Sequence, residues 1–217
     1  PAEKPVPVAP TIRLPLTAPN PEATIAIAGT RWMTSGDAGI WVASREAGTV
    51  AKIDSKTNKA ADPIAAGKEP CAGLSTGFGS LIVPLCGAPG LARVDLKTNA
   101  VTVVPNGISS VTGGPVTAVS SVWVAAHAGR RLVRLDPESN AIVRDMPLEP
   151  QAKALALASG QGSLWVATDR NELLKISPYT IVTSEIIKVG KSPRSIAIGE
   201  GAVWALYAGD GSVSRGD

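Results

Sequence analysis

The sequence predicts an all-β fold, a β-propeller of four-stranded antiparallel blades, and three observations predict it. The first is a repeat. Trp41, Ile82, Trp123, Trp165 and Trp204 fill one slot at spacings of 41, 41, 42 and 39 residues. Asp54, Asp95, Asp136, Ser177 and Asp217 fill a second at spacings of 41, 41, 41 and 40. A fixed period of this length marks a repeat architecture. The second is that each repeat divides into four short runs rich in Val, Ile, Leu and Ala, separated by turn residues. The third is that no 3.6-residue apolar period persists, so helices are expected to be nearly absent.

Taken in order, residues 1–10 (PAEKPVPVAP) read as a disordered Pro-rich tail, and 11–217 as the propeller. The stretch 11–29 aligns with 141–160, which makes 11–16 an outermost strand closing the last blade. The segment TRWMTSGDA at 30–38 reads as an insertion in an A–B connection, with Trp32 and Met33 off the repeat's register and best placed against the chain's own blades. In the third repeat, strand A is expected near 115–119, B near 121–126, C near 131–135 and D near 141–146. The B–C connections fall at Arg45–Gly48, Cys86–Gly90, His127–Arg130, Asp169–Glu172 and Ala208–Gly211. Four repeats are complete and the fifth stops inside its third strand, so the sequence predicts a seven-bladed ring of which about five blades are present. Seven blades would need roughly 80 more residues. A closed five-bladed ring, completed by 11–16, is the competing expectation.

Composition narrows the function classes. Hydrophobic residues make up 44% and aromatics only 4%, so the core must be mostly Val, Ile, Leu and Ala. A net charge of +3 is too small to imply a nucleic-acid partner without a concentrated patch. No apolar run approaches the roughly 18 residues of a membrane span. The chain starts without Met or a signal-peptide pattern, as expected after processing.

Read together, GTVAKIDSKTN (48–58), GLARVDLKTN (90–99), LVRLDPESN (132–140) and GSVSRGD (211–217) resemble YVTN-type β-propeller repeats. The segments GIWVAS, SVWVAA and GSLWVAT, and the G-K-E-P and G-K-S-P turns at 67–70 and 190–193, resemble the same family. The likeness is to its virginiamycin B lyase-like branch and covers about 11–217. It implies the fold but no single activity, since such blades serve lyases, dehydrogenase subunits and binding proteins. The lyases use His and Glu with a divalent metal, mostly in late blades. This chain has one His, so no catalytic residue is carried over and no cofactor is assigned outside that alternative. Gly216 stands where the repeat has Ile or Val, which unsettles the expected final strand.

The repeated residues read as structural. Asp54, Asp95 and Asp136 precede turns whose backbone N–H groups an Asp can accept, and the Trp residues are expected between blades with the indole N–H on a carbonyl. Arg215 occupies the basic slot of Lys52, Arg93, Arg134 and Lys175, so the Arg-Gly-Asp ending needs no adhesive role.

Two features stand outside the repeat. Cys71 and Cys86, the only cysteines, flank a hairpin centred near Phe78 and Gly79, in whose register residue numbers summing to 157 face each other. A disulfide is expected there, and with it a periplasmic or secreted location. The B–C and D–A loops share one face of a propeller. That face would collect His127, Arg130, Arg131, Arg45, Lys68, Lys191, Arg194, Arg170 and Lys153 against Glu46, Glu69, Glu149, Asp169, Glu172 and Asp210. The surplus of cations suits a small anionic ligand or an acidic protein partner. A lone His without adjacent carboxylates gives no metal site, and no nucleotide loop, nucleophile elbow or paired-cysteine motif is present. The leading expectation is an exported binding or scaffold propeller. The alternatives are a metal-dependent streptogramin lyase with its catalytic residues in further blades, and a propeller subunit of a periplasmic redox complex. The rest of the propeller, as another chain, is a further possible partner.

Overall fold

The computed structural model describes residues 22–36, 39–105, 107–148 and 151–216. These residues form five antiparallel sheets and no helix. The first blade contains β1 (Thr30–Gly36), β2 (Gly39–Ser44), β3 (Thr49–Asp54) and an outer strand in two pieces, β4 (Lys59–Ala60) and β5 (Ile64–Ala65), both on β3. The second runs β6 (Ser75–Gly77), β7 (Ser80–Pro84), β8 (Leu91–Asp95) and β9 (Val101–Val104). The third runs β10 (Val116–Ala118), β11 (Ser121–Ala126), β12 (Arg131–Leu135) and β13 (Ile142–Pro147). The fourth runs β14 (Ala154–Gly160), β15 (Ser163–Thr168), β16 (Glu172–Ile176) and β17 (Thr183–Lys188). The fifth has β18 (Pro193–Gly199), β19 (Ala202–Tyr207) and β20 (Ser212–Gly216) among the described residues. Gly216 does not break the last of these; it pairs with Val203. First strands lie side by side, β1 by β6, β6 by β10, β10 by β14 and β14 by β18, so they face the centre. The blades are those of a β-propeller, with the third repeat's four strands within one residue of expectation.

Burial follows strand position. The second strand of each of the first four blades is covered on both faces, and β7 and β11 are buried at every residue. The fourth strands β13 and β17 are mostly exposed. The Trp slot always faces the next blade: Trp41 packs with Leu81 and Val83, Ile82 with Val122 and Val124, Trp123 with Leu164 and Val166, and Trp165 with Val203 and Ala205. Emptying such a slot costs about 3–5 kcal/mol. Trp204 holds the same slot in the fifth blade and is half-buried, beside exposed Leu206 and Val213.

The basic slot opposite each Trp is part of the same unit. Lys52, Arg134, Lys175 and Arg215 lie over Trp41, Trp123, Trp165 and Trp204 at 5.9, 5.4, 5.3 and 5.8 Å from the ring centres. The indoles of Trp123, Trp165 and Trp204 donate to the carbonyls of Ala118, Gly160 and Gly199. The Trp41 indole N–H has no partner among the described residues. Ile82 offers no ring, and Arg93 opposite it crosses to the third blade instead. Its guanidinium donates to the Pro137 carbonyl and to Asn140 Oδ1 at 2.7 Å, and to Ser80 Oγ at 2.9 Å.

The turns explain the rest of the repeat. Asp54, Asp95 and Asp136 each accept the N–H groups two and three residues on, between 2.8 and 3.2 Å. These bonds, led by Lys56 then Thr57 at Asp54, Thr98 then Lys97 at Asp95, and Ser139 at Asp136, hold the three carboxyls below the ordinary Asp value. Asn58, Asn99 and Asn140 close the turns at φ of 56, 61 and 61°, the left-handed region that Asn tolerates. Three A–B hairpins turn through Phe78-Gly79, Gln161-Gly162 and Glu200-Gly201, with φ positive at both residues, as a type I′ turn requires. The third uses Val119-Ser120 at 46 and 53°.

Two expectations need correction. The segment at 30–36 is no insertion: it is β1 itself, with Thr34 opposite Trp41 and Trp32 opposite Ala43. Trp32 and Thr34 point inward and Trp32 packs on the first inter-blade cluster, while Met33 is exposed. Residues 22–29, which lead into β1, carry no strand. The strand expected at 11–16, and the tail at 1–10, lie outside the described residues. Cys71 and Cys86 are bonded, with Cα atoms 5.8 Å apart, but are not directly opposed. The register summing to 157 holds from Ser75↔Ile82 to Gly77↔Ser80. Ala72 and Gly73, at φ of 61 and 118°, then shift it by two, and Pro70 faces Leu85. The cysteines are diagonal neighbours across that bridge.

Ser120→Gly is expected to stabilise the chain by about 1 kcal/mol, because Gly occupies a left-handed turn position without the Cβ penalty; urea unfolding measures it. The lowered carboxyls contribute stability that is full above the unfolded Asp value of about 3.9 and is lost as pH falls through their folded values. The triple variant Asp54→Asn, Asp95→Asn, Asp136→Asn keeps an acceptor oxygen in each turn. Its melting temperature is expected to fall less steeply below pH 4 than that of the parent.

Candidate ligand-binding rim

On one face, the B–C loop of each blade is fastened by backbone hydrogen bonds to the segment leading into that blade. Arg45 N–H donates to Gly29 O, Gly87 to Lys68, His127 to Ser109, Ala128 to Ser110, Asp169 to Lys153 and Gly209 to Lys191, at 2.7–3.3 Å. Side chains add to this. Asp169 accepts Lys153 N–H at 2.9 Å, and Asn171 accepts Ser192 N–H at 2.9 Å. Asp210 accepts the Ser212 hydroxyl and Lys191 N–H, which hold its carboxyl below the usual range. The face is therefore a rigid platform, and Asp169 and Asp210 serve its architecture.

The predicted cations divide into two groups. Arg45 pairs with Glu69 at 2.8 Å, bridging the first and second blades. Arg131 forks Asp145, through Nε at 2.5 Å to the carboxylate and Nη2 at 3.0 Å to the carbonyl. Arg170, at 3.7 Å, and Lys188, at 2.5 Å, flank the buried Glu172. Lys68, Arg130, Lys191 and Arg194 make no ion pair with another described residue.

Two clefts open on this face. The larger, of 890 Å³, lies between the first and second blades; Arg31, Arg45, Glu46, Lys68 and Glu69 surround a floor of Gly48, Gly67 and Gly87. Arg31 was not among the expected rim residues. It lies ten residues before Trp41, as Arg194 lies ten before Trp204, and both sit where the first strand slips register against the second. Reading 30–38 as a loop hid that equivalence. The smaller cleft, of 300 Å³, belongs to the third blade. His127, Arg130 and Arg131 form one wall, and Pro147, Leu148, Gln151 and Ala152 the other. The second wall carries no motif, and only proximity in the fold discloses it.

The loop bearing His127 differs from its sisters in backbone as well as in residue type. His127, Ala128 and Gly129 are all left-handed, at φ of 53, 58 and 79°. The four-residue loops of the first and fifth blades have one such residue each, Gly48 and Gly211. A Cβ on Gly129 would stand 2.5 Å from the Ala154 carbonyl oxygen. Ala154 N–H donates to Gly129 O, and Thr112 Oγ1 donates to Ala154 O, so the neighbour cannot retreat. Among the described residues, no set of donors fits the divalent metal of the lyase alternative. His127 Nδ1 is 3.4 Å from Ser109 Oγ, Asp145 is held by Arg131, and no three His, Cys, Asp or Glu converge among the described residues.

Gly129→Ala is expected to cost at least ~2 kcal/mol from left-handed strain and this clash, whereas Ala128→Gly should be neutral or stabilising. Thermal unfolding of both variants tests the pair.

No protein-family model matches the chain, and no curated protein matches it in sequence. Solved structures do match in fold. The Cps50 (Swd1) β-propeller domain of Myceliophteria thermophila superposes with a TM-score of 0.69 at 15% identity, over 86% of this chain and 64% of that one. Kuenenia stuttgartiensis hydrazine synthase gives 0.65 at 12% identity, over 91% and 68%. The extracellular domain of BT4673 from B. thetaiotaomicron gives 0.60 at 16% identity, over 83% and 28%. At these identities the likeness is one of fold, and the chain is similar to all three as a β-propeller.

Proposed function

We propose that the chain is an exported binding propeller that takes an anionic ligand or an acidic protein segment on its loop rim. The observation that carries this reading is the fastened loop face, where Lys68, Arg130, Lys191 and Arg194 stand without a carboxylate partner among the described residues, Lys68 and Arg130 each lining a cleft. Fixed loops lose little conformational entropy on binding, and a cationic surplus steers anions to them. The Cys71–Cys86 bond supports the periplasm or the exterior, where disulfides persist. The half-buried Trp204 face, chemically like the Trp165 face that the fifth blade covers, suits a further propeller blade as partner.

The test is chemical-shift mapping of the ¹⁵N-labelled chain with a ten-residue poly-glutamate peptide. Shifts are expected in the amides of the B–C and D–A loops and should weaken as salt is raised. Shifts spread over β9, β13 and β17, or none at all, would sink the reading.

A further inference from the structure

We propose that the pocket between the fourth and fifth blades binds a small neutral aromatic molecule carrying one hydroxyl, a phenol in chemical class. The proposal is independent of the charged rim and rests on a departure of the fifth blade from its sisters.

In each third strand, the residues on either side of the basic slot face the preceding blade. Beside Arg93 these are Ala92 and Val94, beside Arg134 Val133 and Leu135, and beside Lys175 Leu174 and Ile176. All six are buried in the seam they face. Beside Arg215 they are Ser214 and Gly216. An apolar pair is replaced by a hydroxymethyl group and a hydrogen atom, and a cavity of 220 Å³ opens where the pair would stand. A Cβ on Gly216 would meet no atom within 4 Å. A fourth strand does not fill this part of a seam in the sister blades. Val103 lies opposite Ala92 and Ile186 opposite Leu174, on the face turned to the preceding blade, and each is 50% exposed.

The walls select the ligand. Trp165, Leu173 and Val203 form a buried apolar floor, with Ile187 and Val189 on one side. Tyr207 stands where the sister strands carry Ser44, Leu85, Ala126 and Thr168, and it brings a second aromatic ring to the cavity. That ring is seated on Gly190, whose Cβ would lie 2.7 Å from it. The Tyr207 hydroxyl and Ser214 Oγ are hydrogen-bonded to each other. In such a pair one O–H donates within the pair and the other is left to donate onward, to a ligand oxygen. The cations at the margin are answered already, Lys188 by Glu172 at 2.5 Å and Arg215 by the Trp204 ring. The pocket therefore calls for no charge in its ligand. About 150 Å³ suffices for benzene in a protein interior, so this cavity admits one substituted ring and falls short of a drug-sized molecule.

The test is titration of the ¹⁵N-labelled full chain with phenol at neutral pH. Saturable shifts are expected at the Trp165 indole N–H and the Tyr207 amide, with the Trp41 and Trp123 indoles unmoved. Gly216→Ile restores the residue type of the sister slots. It should lower phenol affinity at least tenfold and raise the melting temperature by about 3 °C or more. Tyr207→Phe keeps the ring and removes the hydroxyl, and should weaken phenol about fivefold while leaving toluene unchanged. Benzoate should bind at least tenfold more weakly than phenol, because its charge finds no partner in the pocket. Unchanged Trp41 and Trp123 indole positions verify that each variant is folded. No saturable shift, parent affinity in folded Gly216→Ile, or benzoate binding as tightly as phenol would each overturn the proposal. Equal losses of phenol and toluene in Tyr207→Phe would take the hydroxyl out of the ligand and the proposed class with it.

Discussion

The second strand of each of the first four blades is covered on two sides, and most of the remaining architecture follows from that. A strand in such a position favours apolar side chains on both faces, so β2, β7, β11 and β15 are built mainly of Val, Ala, Leu, Ile and Trp, with Ser or Thr at their ends. The Trp slot fills the gap to the next blade, and the basic residue across from it caps the ring face with its charge. Where the ring is missing, at Ile82, the cation opposite finds carbonyl and amide oxygens on the neighbouring blade. At that seam, hydrogen bonds from Arg93 are added to the apolar packing that closes every seam. Polar chemistry is displaced to the loops, and on one face the loops are themselves held by backbone bonds.

Much of this is written in the residues. The recurrence of Trp with Asp gives the order of the five blades described because both are demanded by local geometry, one by packing and the other by a turn. The Asn that ends each Asp turn has the same origin, being left-handed at 58, 99 and 140. The pairing of Cys71 with Cys86 follows from the hairpin centre, although the path to it does not. Ala72 is left-handed against its own preference, and nothing in Cys-Ala-Gly-Leu marks a two-residue slip. The first blade misled for a related reason. Thr30-Arg31-Trp32-Met33 shares no residue type with Ala154-Leu155-Ala156-Leu157, yet both form first strands with the same slip near their start.

The rim was legible as a list of charges and illegible as a site. Asp169 and Asp210 look like Arg45 and Lys68 in sequence, in that each is a charged residue in a loop. The fold spends the two acids on backbone N–H groups and pairs Arg45 with Glu69 across a seam. What singles out the third blade is conformational: one glycine in the sequence accompanies three left-handed residues in the loop. Such a loop depends on fastening from Ser109, Ser110 and Ala154, partners 18 to 25 residues away from those they hold. Local sequence carries no trace of that dependence.

Because each hydrophobic cluster joins only adjacent blades, the molecule is mechanically a row of springs. Its resistance to unfolding is set seam by seam, with no single centre whose loss releases the whole. The third blade has seams on both sides, with Val122 and Val124 in one and Trp123 and Ala125 in the other. A ligand held on its loops would therefore sit over the interior of the row, where a disturbance can spread in two directions. A ligand on the fifth blade would reach, among the described residues, the one seam with the fourth.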